Sequence, residues 1–172
     1  AFVSAIRHHF SRPEGVPPVM RMISALGLVF GCGLLLTHSM ADSCVLWRVI
    51  VGVSLCLLSG WLFRSALEAT REHPLSLAGS GDAPVRLNQR GPYACIRHPF
   101  YASYLLTWMG AGIISPHWWM LTPAFVMGGL YVWCARREER KFLSSPLADA
   151  YRCYQERSGM LWPRLVRNVK AT

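Results

Sequence analysis

Two short clusters of polar residues stand out because each lies beside a long apolar stretch. The first is Arg97-His98-Pro99, and the second is Glu138-Glu139 within a run of arginines and a lysine. Pro99 suits the first turn of a helix, so Arg97 and His98 should flank a helix N-terminus, where N–H groups and the helix dipole favour an anion. Two adjacent carboxylates at an apolar edge are costly unless they pair or bind something. Together the clusters predict a pocket with a cationic side and an anionic side.

The apolar runs that must position these clusters are long enough to cross a membrane. Residues 22–41, 49–63 and 98–135 contain no Asp, Glu, Lys or Arg. A helix spans the hydrocarbon core with about 20 apolar residues, and Ser115-Pro116-His117 indicates a turn inside the longest run. The pattern predicts an all-α polytopic membrane protein with transmembrane helices at about 20–40, 45–67, 99–115 and 117–135, in two hairpins. Buried helices of a soluble bundle are the alternative, but such helices should carry a polar face.

The distribution of basic residues predicts the orientation. Arginine and lysine occur in residues 1–21, 68–97 and 136–172 but not in the connections 37–44 and 115–117. Basic segments near spans stay on the cytoplasmic side, so both termini, the loop 68–98 and the tail 136–172 should be cytoplasmic. The first run is interpreted as a retained span of a single domain, 1–172, rather than a signal peptide, because no convincing cleavage site follows it. Sixteen arginines against two lysines indicate a GC-rich, bacterial genome, and the favoured location is therefore a bacterial inner membrane.

Composition argues against several other classes of protein. With 52% hydrophobic residues the chain is not disordered. Its net charge of +9 is explained by topology and by contact with membrane lipids, and there is no recognition helix or stacking platform, so we expect no nucleic-acid partner. Six scattered cysteines without a C-x-x-C motif indicate neither a disulfide framework nor a metal site.

The short turn at residues 115–117 should make the third and fourth spans neighbours, so that the two polar clusters meet on the cytoplasmic side. Such a pocket would suit a zwitterionic ligand with a carboxylate at one end and an amine or ribose hydroxyls at the other. Further along, Ser145 resembles an N-cap and Pro146 a first helical residue. Leu147, Tyr151 and Tyr154 would then share one face of a C-terminal amphipathic helix at the cytoplasmic membrane face, acting as an anchor or as a lid.

An ordered set of motifs resembles the membrane methyltransferases typified by isoprenylcysteine carboxyl methyltransferase and bacterial phospholipid N-methyltransferases. The motifs are Gly91-Pro92-Tyr93, Arg97-His98-Pro99-x-Tyr101, Glu138-Glu139, Tyr151-x-x-Tyr154 and Trp162-Pro163. The resemblance covers roughly residues 87–165, and it departs from the family at Ser103, where glycine is usual. It implies S-adenosylmethionine as the cofactor, and the residues it implies for the cofactor site are Gln89, Gly91, Arg97, His98, Pro99, Phe100, Tyr101, Glu138 and Glu139.

The resemblance also implies that an arginine just before the paired glutamates, Arg136 or Arg137, holds the methyl acceptor. Tyr101 is a further catalytic candidate, since an amine or phenol acceptor must lose a proton. The favoured function is methyl transfer to a lipophilic acceptor at the cytoplasmic membrane edge, with an isoprenylcysteine-type carboxylate first; a phosphatidylethanolamine amine, a quinone-like phenol and a small isoprenoid acid stay open. A sterol-reductase-like NADPH enzyme and a non-catalytic four-span subunit are the alternatives. The oligomeric state is left open.

Overall fold

The elements that carry the two polar clusters are helices joined by short turns. A computed structural model describes residues 10–11, 18–39, 45–71, 75–76 and 86–164; the expectations for the N-terminal arm, for residues 40–44, for most of the loop 72–85 and for residues 165–172 lie outside this part. The helical fold is confirmed, and a pair of two-residue parallel strands accompanies it, β1 (Phe10–Ser11) and β2 (Leu75–Ser76). The helices are α1 (Pro18–Ser39), α2 (Leu46–Ala69), α3 (Pro99–Ile114), α4 (Thr122–Leu143) and α5 (Ala148–Arg157), and 3-10 turns at Gly91–Ala94 and Trp118–Leu121 precede α3 and α4.

Two helical segments are long and apolar enough to cross a membrane, Leu46–Ala69 and Trp118–Leu143. Within α1 the apolar helix Arg21–Leu34 is shorter, and α3 has 16 residues. Only 17% of the most apolar window of α2 is buried. A core helix of a soluble bundle would bury that surface, so a large exposed apolar face fits contact with lipid. The arrangement of four spans stays a prediction.

Small and hydroxylated residues bring α2 and α3 into close contact. A Cβ atom added to Gly52 would lie 2.6 Å from the carbonyl oxygen of Gly110. Nearer the other end of the helices, Ser59 Oγ donates to the carbonyl oxygen of Ser103 (2.6 Å) and lies 2.8 Å from Thr107 Oγ1. Membrane helices associate through such close packing and interhelical hydrogen bonds. Ser103 is fully buried, so serine at this position permits the close approach of the two helices.

The turn between α3 and α4 lies at the opposite end of the helices from the polar clusters. Arg48, near the start of α2, donates to the carbonyl oxygens of Ser115 (3.0 Å) and Pro116 (2.8 Å). These bonds satisfy carbonyl groups that the end of α3 leaves free. Exposed tryptophans, which favour the membrane interface, surround this turn: Trp47, Trp118 and Trp119.

The fourth helix extends further than the predicted span 117–135. It begins after the 3-10 turn, and it continues to Leu143 because residues 130–143 contain no glycine or proline that would interrupt it. Glu138 and Glu139 therefore belong to the last turns of α4 rather than to a tail. Their positions are fixed by a regular helix.

The C-terminal helix exists, but it starts later than Ser145 and Pro146 predicted. Leu147 is the N-cap of α5, and Ser145 Oγ accepts a hydrogen bond from the Leu147 N–H group (3.2 Å) inside the preceding turn. The turn folds α5 back onto α4, where the rings of Phe142 and Tyr151 stack with centroids 4.7 Å apart. Because Tyr151 and Tyr154 are buried, the apolar face of α5 packs on the protein.

Candidate functional site

The entry into α3 is fixed by the segment that follows α5. Pro99 is the first residue of α3, and His98 is its N-cap. The Arg97 N–H group donates to the carbonyl oxygen of Gly159 (2.8 Å), and the His98 N–H group donates to that of Met160 (3.0 Å). These two N–H groups are therefore already paired, so any anion at the α3 N-terminus must use others. The same hydrogen bonds fix the backbone positions from which the Arg97 and His98 side chains extend.

Glu139 joins three parts of the chain through a buried ion pair. Arg97 Nε donates to Glu139 Oε1 at 2.7 Å, and the two side chains are 10% and 9% exposed. Gln155 Nε2 of α5 donates to Glu139 Oε2 at 3.0 Å, and the Arg97 guanidinium also donates to the carbonyl oxygen of Ser158. Both carboxylate oxygens of Glu139 are thus occupied, and the residue ties α4 to α5 and to the entry of α3.

Glu138 lies beside this ion pair and is more accessible, with 29% of its side chain exposed. Tyr101 Oη donates to Glu138 Oε1 at 2.7 Å, and His98 Nδ1 lies 3.4 Å from Glu138 Oε2. His98 Nε2 is buried and lies 3.4 Å from Glu139 Oε1, but it donates no aligned hydrogen bond to any residue that the structure describes. The rings of His98, Tyr101 and Tyr131 stack in a column, with centroids 5.7 and 5.5 Å apart, which fixes the two side chains that hold Glu138.

The carboxylates determine the charge of His98. Burial of the imidazole lowers its pKa, but close contact with Glu138 and Glu139 and their negative charges raise it, so the pKa of His98 lies above its ordinary value of 6.5. The cationic form can donate from both ring nitrogens. With Arg97, the site then contains two cationic and two anionic side chains, so its net charge is zero when no ligand is bound.

The structure thus brings the two predicted clusters into direct contact, but it separates Phe100 from them. Consecutive residues of a helix point about 100° apart. Tyr101 accordingly faces α4, whereas Phe100 faces α2, where it packs with Ala66 and Tyr93 and lies 5.5 Å from the ring of Phe63. Phe100 is a core residue in this arrangement, and its place in the cofactor site stays a prediction.

Three further residues predicted for the cofactor site, Gln89, Gly91 and Pro99, also lie apart from the hydrogen-bonded side chains described above. Gln89 is exposed. Gly91 has a φ of +56°, and a Cβ atom there would lie 3.3 Å from Ala69 Cβ at the end of α2, so this glycine serves a turn against α2. Pro99 is fully buried, and its contribution is to start α3.

An open groove of about 440 Å³ adjoins the cluster along α4, and Glu139 belongs to both. Arg136 lines this groove, whereas the Arg137 guanidinium lies 5.7 Å from the ring centroid of Trp133. Of the two arginines expected to hold an acceptor, Arg136 is the one on the groove. The complete lining is Trp133, Arg136, Glu139, Arg140 and Leu143.

Sequence reasoning missed the contributions of Gln155, Tyr131 and Gly159. Gln155 follows the buried Tyr151 by four residues on an amphipathic helix, so a polar residue on a buried face was the available signal. Gly159 has no comparable signal, although its role is strict: a Cβ atom there would overlap the carbonyl oxygen of Trp162. Among the described residues, no group of three His, Cys, Asp or Glu side chains could hold a metal ion.

Comparison with known families gives one clear match. The family model described as phospholipid methyltransferase matches residues 47–150, which is more than half of the chain. The match begins at α2, earlier than the motifs indicated, and contains both polar clusters; it ends within α5, before Gln155 and the segment that pairs with the entry of α3. No curated protein matches the chain.

Proposed function

Because the chain belongs to the phospholipid methyltransferase family, we propose that it transfers the methyl group of S-adenosylmethionine to a lipophilic acceptor at the cytoplasmic edge of a membrane. The observation that carries this proposal is the contact between the start of α3 and the end of α4. His98 and Tyr101 on one side and Glu138 on the other form a single polar site, between helices whose outer surfaces are apolar.

The residues present suit the cofactor. S-adenosylmethionine carries a sulfonium cation, an ammonium group and ribose hydroxyls, all of which favour a nearby carboxylate. Glu138 is the accessible carboxylate, and His98 Nε2 is a buried donor without an aligned partner among the described residues. A carboxylate or a hydroxyl of the cofactor would satisfy this donor. When bound, the cofactor supplies an activated methyl group, so the reactivity does not have to come from a side chain.

The protein's part is to align the reactants and to exclude water. Tyr101 and His98 orient the Glu138 carboxylate, and the ring column behind them keeps that orientation. The buried Arg97–Glu139 ion pair supports this site indirectly, because it holds the end of α4 against the start of α3. We therefore assign Glu138 and His98 to direct contact with the cofactor, and Tyr101, Glu139 and Arg97 to positioning.

The groove along α4 offers a route for the acceptor. Arg136 and Arg140 provide cationic groups that suit a phosphate or a carboxylate, and Trp133 and Leu143 provide apolar surface for a lipid chain. The predicted isoprenylcysteine-type carboxylate would arrive already ionised and would need no base. The family description favours a phospholipid acceptor. If the accepting group is an amine, the Glu138 carboxylate would accept its proton.

We further propose that α1 to α4 span a bacterial inner membrane with both termini in the cytoplasm. The charge distribution supports this orientation, and the apolar exposed surface of α2 supports its insertion in the membrane. In that arrangement the polar site lies at the inner leaflet. The water-soluble cofactor would then enter from the cytoplasm, and the acceptor would enter sideways from the bilayer.

The proposal is tested by incubating the purified protein in lipid nanodiscs with isotopically labelled S-adenosylmethionine. The nanodiscs carry either phosphatidylethanolamine or a prenylated cysteine, and the products are identified by mass spectrometry. We expect labelled methyl groups on one acceptor, loss of labelling in Glu138→Gln, and retention in Arg152→Gln, whose partner Asp149 is an exposed surface residue. Saturable binding of NADPH without binding of S-adenosylhomocysteine would favour a reductase instead. Binding of neither, with no product, would favour a non-catalytic subunit.

A further inference from the structure

Arg48 is an isolated charge in the apolar part of the chain. Residues 22–63 and 98–135 contain no other lysine or arginine. A charged side chain at an apolar edge is costly unless it reaches a partner, and the basic residues that orient a membrane protein belong on the cytoplasmic side. Arg48 lies at the other end of the helices, beside the turn between α3 and α4. Topology therefore does not account for it.

The protein itself uses only part of the half-buried Arg48 guanidinium. Its Nη1 group donates to the carbonyl oxygens of Ser115 (3.0 Å) and Pro116 (2.8 Å), and its carbon atom lies 5.7 Å from the ring centroid of Trp47. Among the residues that the structure describes, no carboxylate pairs with Arg48, and its Nε and Nη2 groups donate no hydrogen bond. This edge of a guanidinium can bind a phosphate through two parallel hydrogen bonds.

Two further features favour an anion beside Arg48. Ser115, whose carbonyl oxygen Arg48 contacts, is 3% exposed, and its Oγ atom has no hydrogen-bond partner in the described part of the chain. Buried hydroxyl groups are nearly always paired, so the missing partner points to a ligand. Arg48 also belongs to the first turn of α2, which has no side-chain cap, so the positive end of a 24-residue helix lies here.

The surface around Arg48 indicates that the anion belongs to a lipid. Trp47, Trp118 and Trp119 are exposed at this end of the helices, and tryptophan favours the depth of lipid headgroups. Large apolar side chains are exposed along the following turns of α2: Ile50, Val51, Val53, Leu57, Leu58 and Trp61. Acyl chains packed on this surface would place their phosphate at the level of Arg48.

We propose that Arg48 and the Ser115 hydroxyl bind the phosphate of a membrane phospholipid in the leaflet opposite the polar site. This lipid is a bound partner and not a methyl acceptor, because the 16 residues of α3 separate the two ends by about 24 Å. Its phosphate would hold the start of α2 against the turn between α3 and α4. The inference uses the proposed membrane insertion of these helices, but it is independent of methyl transfer.

The test measures the unfolding temperature of the full chain in detergent with and without one of three additions. The additions are phosphatidylglycerol, a diacyl glycolipid without phosphate, and inorganic phosphate. We expect phosphatidylglycerol to stabilise the wild type most, because it supplies the phosphate and the acyl chains together. Inorganic phosphate should have little effect. Arg48→Gln should weaken the apparent affinity for phosphatidylglycerol about tenfold or more, because a charge-assisted hydrogen bond is lost.

Three further variants separate lipid binding from folding. Arg48→Lys keeps the charge but loses the forked donor edge, so its affinity for phosphatidylglycerol should lie between those of Arg48→Gln and the wild type. Ser115→Ala removes a hydroxyl without a described partner, so it should keep the lipid-free unfolding temperature and still bind phosphatidylglycerol more weakly. Arg152→Gln removes one exposed positive charge from α5 and should bind as the wild type does.

Each of three results would overturn the inference. Equal stabilisation of Arg48→Gln, or of Arg48→Lys if Arg48→Gln does not fold, and of the wild type by phosphatidylglycerol would show that the lipid binds elsewhere. Equal stabilisation of the wild type by inorganic phosphate or by the glycolipid would show that the ligand is not a phospholipid phosphate. A loss of lipid-free stability in Asp42→Asn as large as that in Arg48→Gln would identify Asp42, which lies outside the described residues, as the partner of Arg48.

Discussion

Glu138 and Glu139 are adjacent in sequence, yet their surroundings differ enough that substitutions should separate binding from folding. Glu138→Gln keeps the shape but removes the charge of the accessible carboxylate, so we expect the affinity for S-adenosylhomocysteine to fall about tenfold or more. Its loss of stability should be smaller than that of Glu139→Gln, because the Glu138 side chain is 29% exposed. Glu139→Gln leaves the buried Arg97 guanidinium without its anion, which should lower the free energy of unfolding by about 3 kcal/mol. Calorimetry and thermal unfolding in the same detergent measure both effects. Equal effects of the two changes on stability would contradict this division.

His98 should make the stability of the protein depend on pH. It faces Glu138 and Glu139 of α4, Tyr101 of its own helix and the neighbouring Arg97. Because its pKa in the folded protein is raised above 6.5, its contribution to stability is complete below pH 6.5 and is lost as the pH rises through the folded-state pKa.

We expect the unfolding temperature of the wild type to fall as the pH is raised above 6.5. The fall should be smaller in His98→Gln. Thermal unfolding across this range, at constant ionic strength, measures the difference. His117 provides the matched control, since it is exposed at the opposite end of α3, and His117→Gln should keep the pH dependence of the wild type. An unchanged pH dependence in His98→Gln would show that the imidazole is not held as a cation.

At the scale of elements, the contact between α2 and α3 should tolerate no side chain at its crossing point. A Cβ atom at Gly52 would meet the backbone of α3 at the carbonyl oxygen of Gly110 and the side chain of Ile114. Gly52→Ala should therefore lower the unfolding free energy by about 1–3 kcal/mol. Gly60 lies in the same helix, and no atom of the described residues comes within 4 Å of a Cβ added there, so Gly60→Ala should be neutral or stabilising by up to about 1 kcal/mol. Thermal unfolding of both variants gives the comparison, and a stable Gly52→Ala would mean that the helices do not cross here.

The helices also show what local sequence can predict. Pro99 determined where α3 begins, because a proline in the first turn loses no hydrogen bond. The start of α5 did not follow its local signal at Ser145, since the turn is arranged so that Tyr151 stacks on Phe142. Tertiary contacts of this kind override capping preferences, which contribute only about 1 kcal/mol.

For the whole molecule, the meeting of the two polar clusters could be predicted because a single short turn joins α3 and α4. Antiparallel neighbours bring the start of one helix beside the end of the other, so Tyr101 and Glu138 meet across 37 residues. The part played by the C-terminal segment could not be predicted in this way. Gln155 reaches Glu139, and Gly159 pairs with the entry of α3, but contacts between distant segments leave no periodic pattern in the sequence.

The orientation of the molecule can be tested with cysteines that the chain already contains. Cys95 and Cys153 are exposed at the end that carries the polar site, and the charge distribution predicts that this end is cytoplasmic. Cys44 belongs to a connection predicted to lie outside, and Trp118→Cys would place a second outside thiol at a side chain that is 81% exposed. Variants that retain one thiol each are treated, in intact cells, with a maleimide that cannot cross the membrane.

We expect the reagent to label Cys44 and Trp118→Cys in intact cells, and to label Cys95 and Cys153 only after the membrane is opened. This pattern requires an even number of membrane crossings between residues 95 and 153, because both residues must lie on the same side of the membrane. The helices α3 and α4 supply these crossings. Labelling of Cys95 but not Cys153 in intact cells would mean that α3 and α4 do not cross as a hairpin. Labelling of both before opening would reverse the orientation, and it would place the polar site on the side of the membrane that lacks S-adenosylmethionine, since that cofactor is made in the cytoplasm.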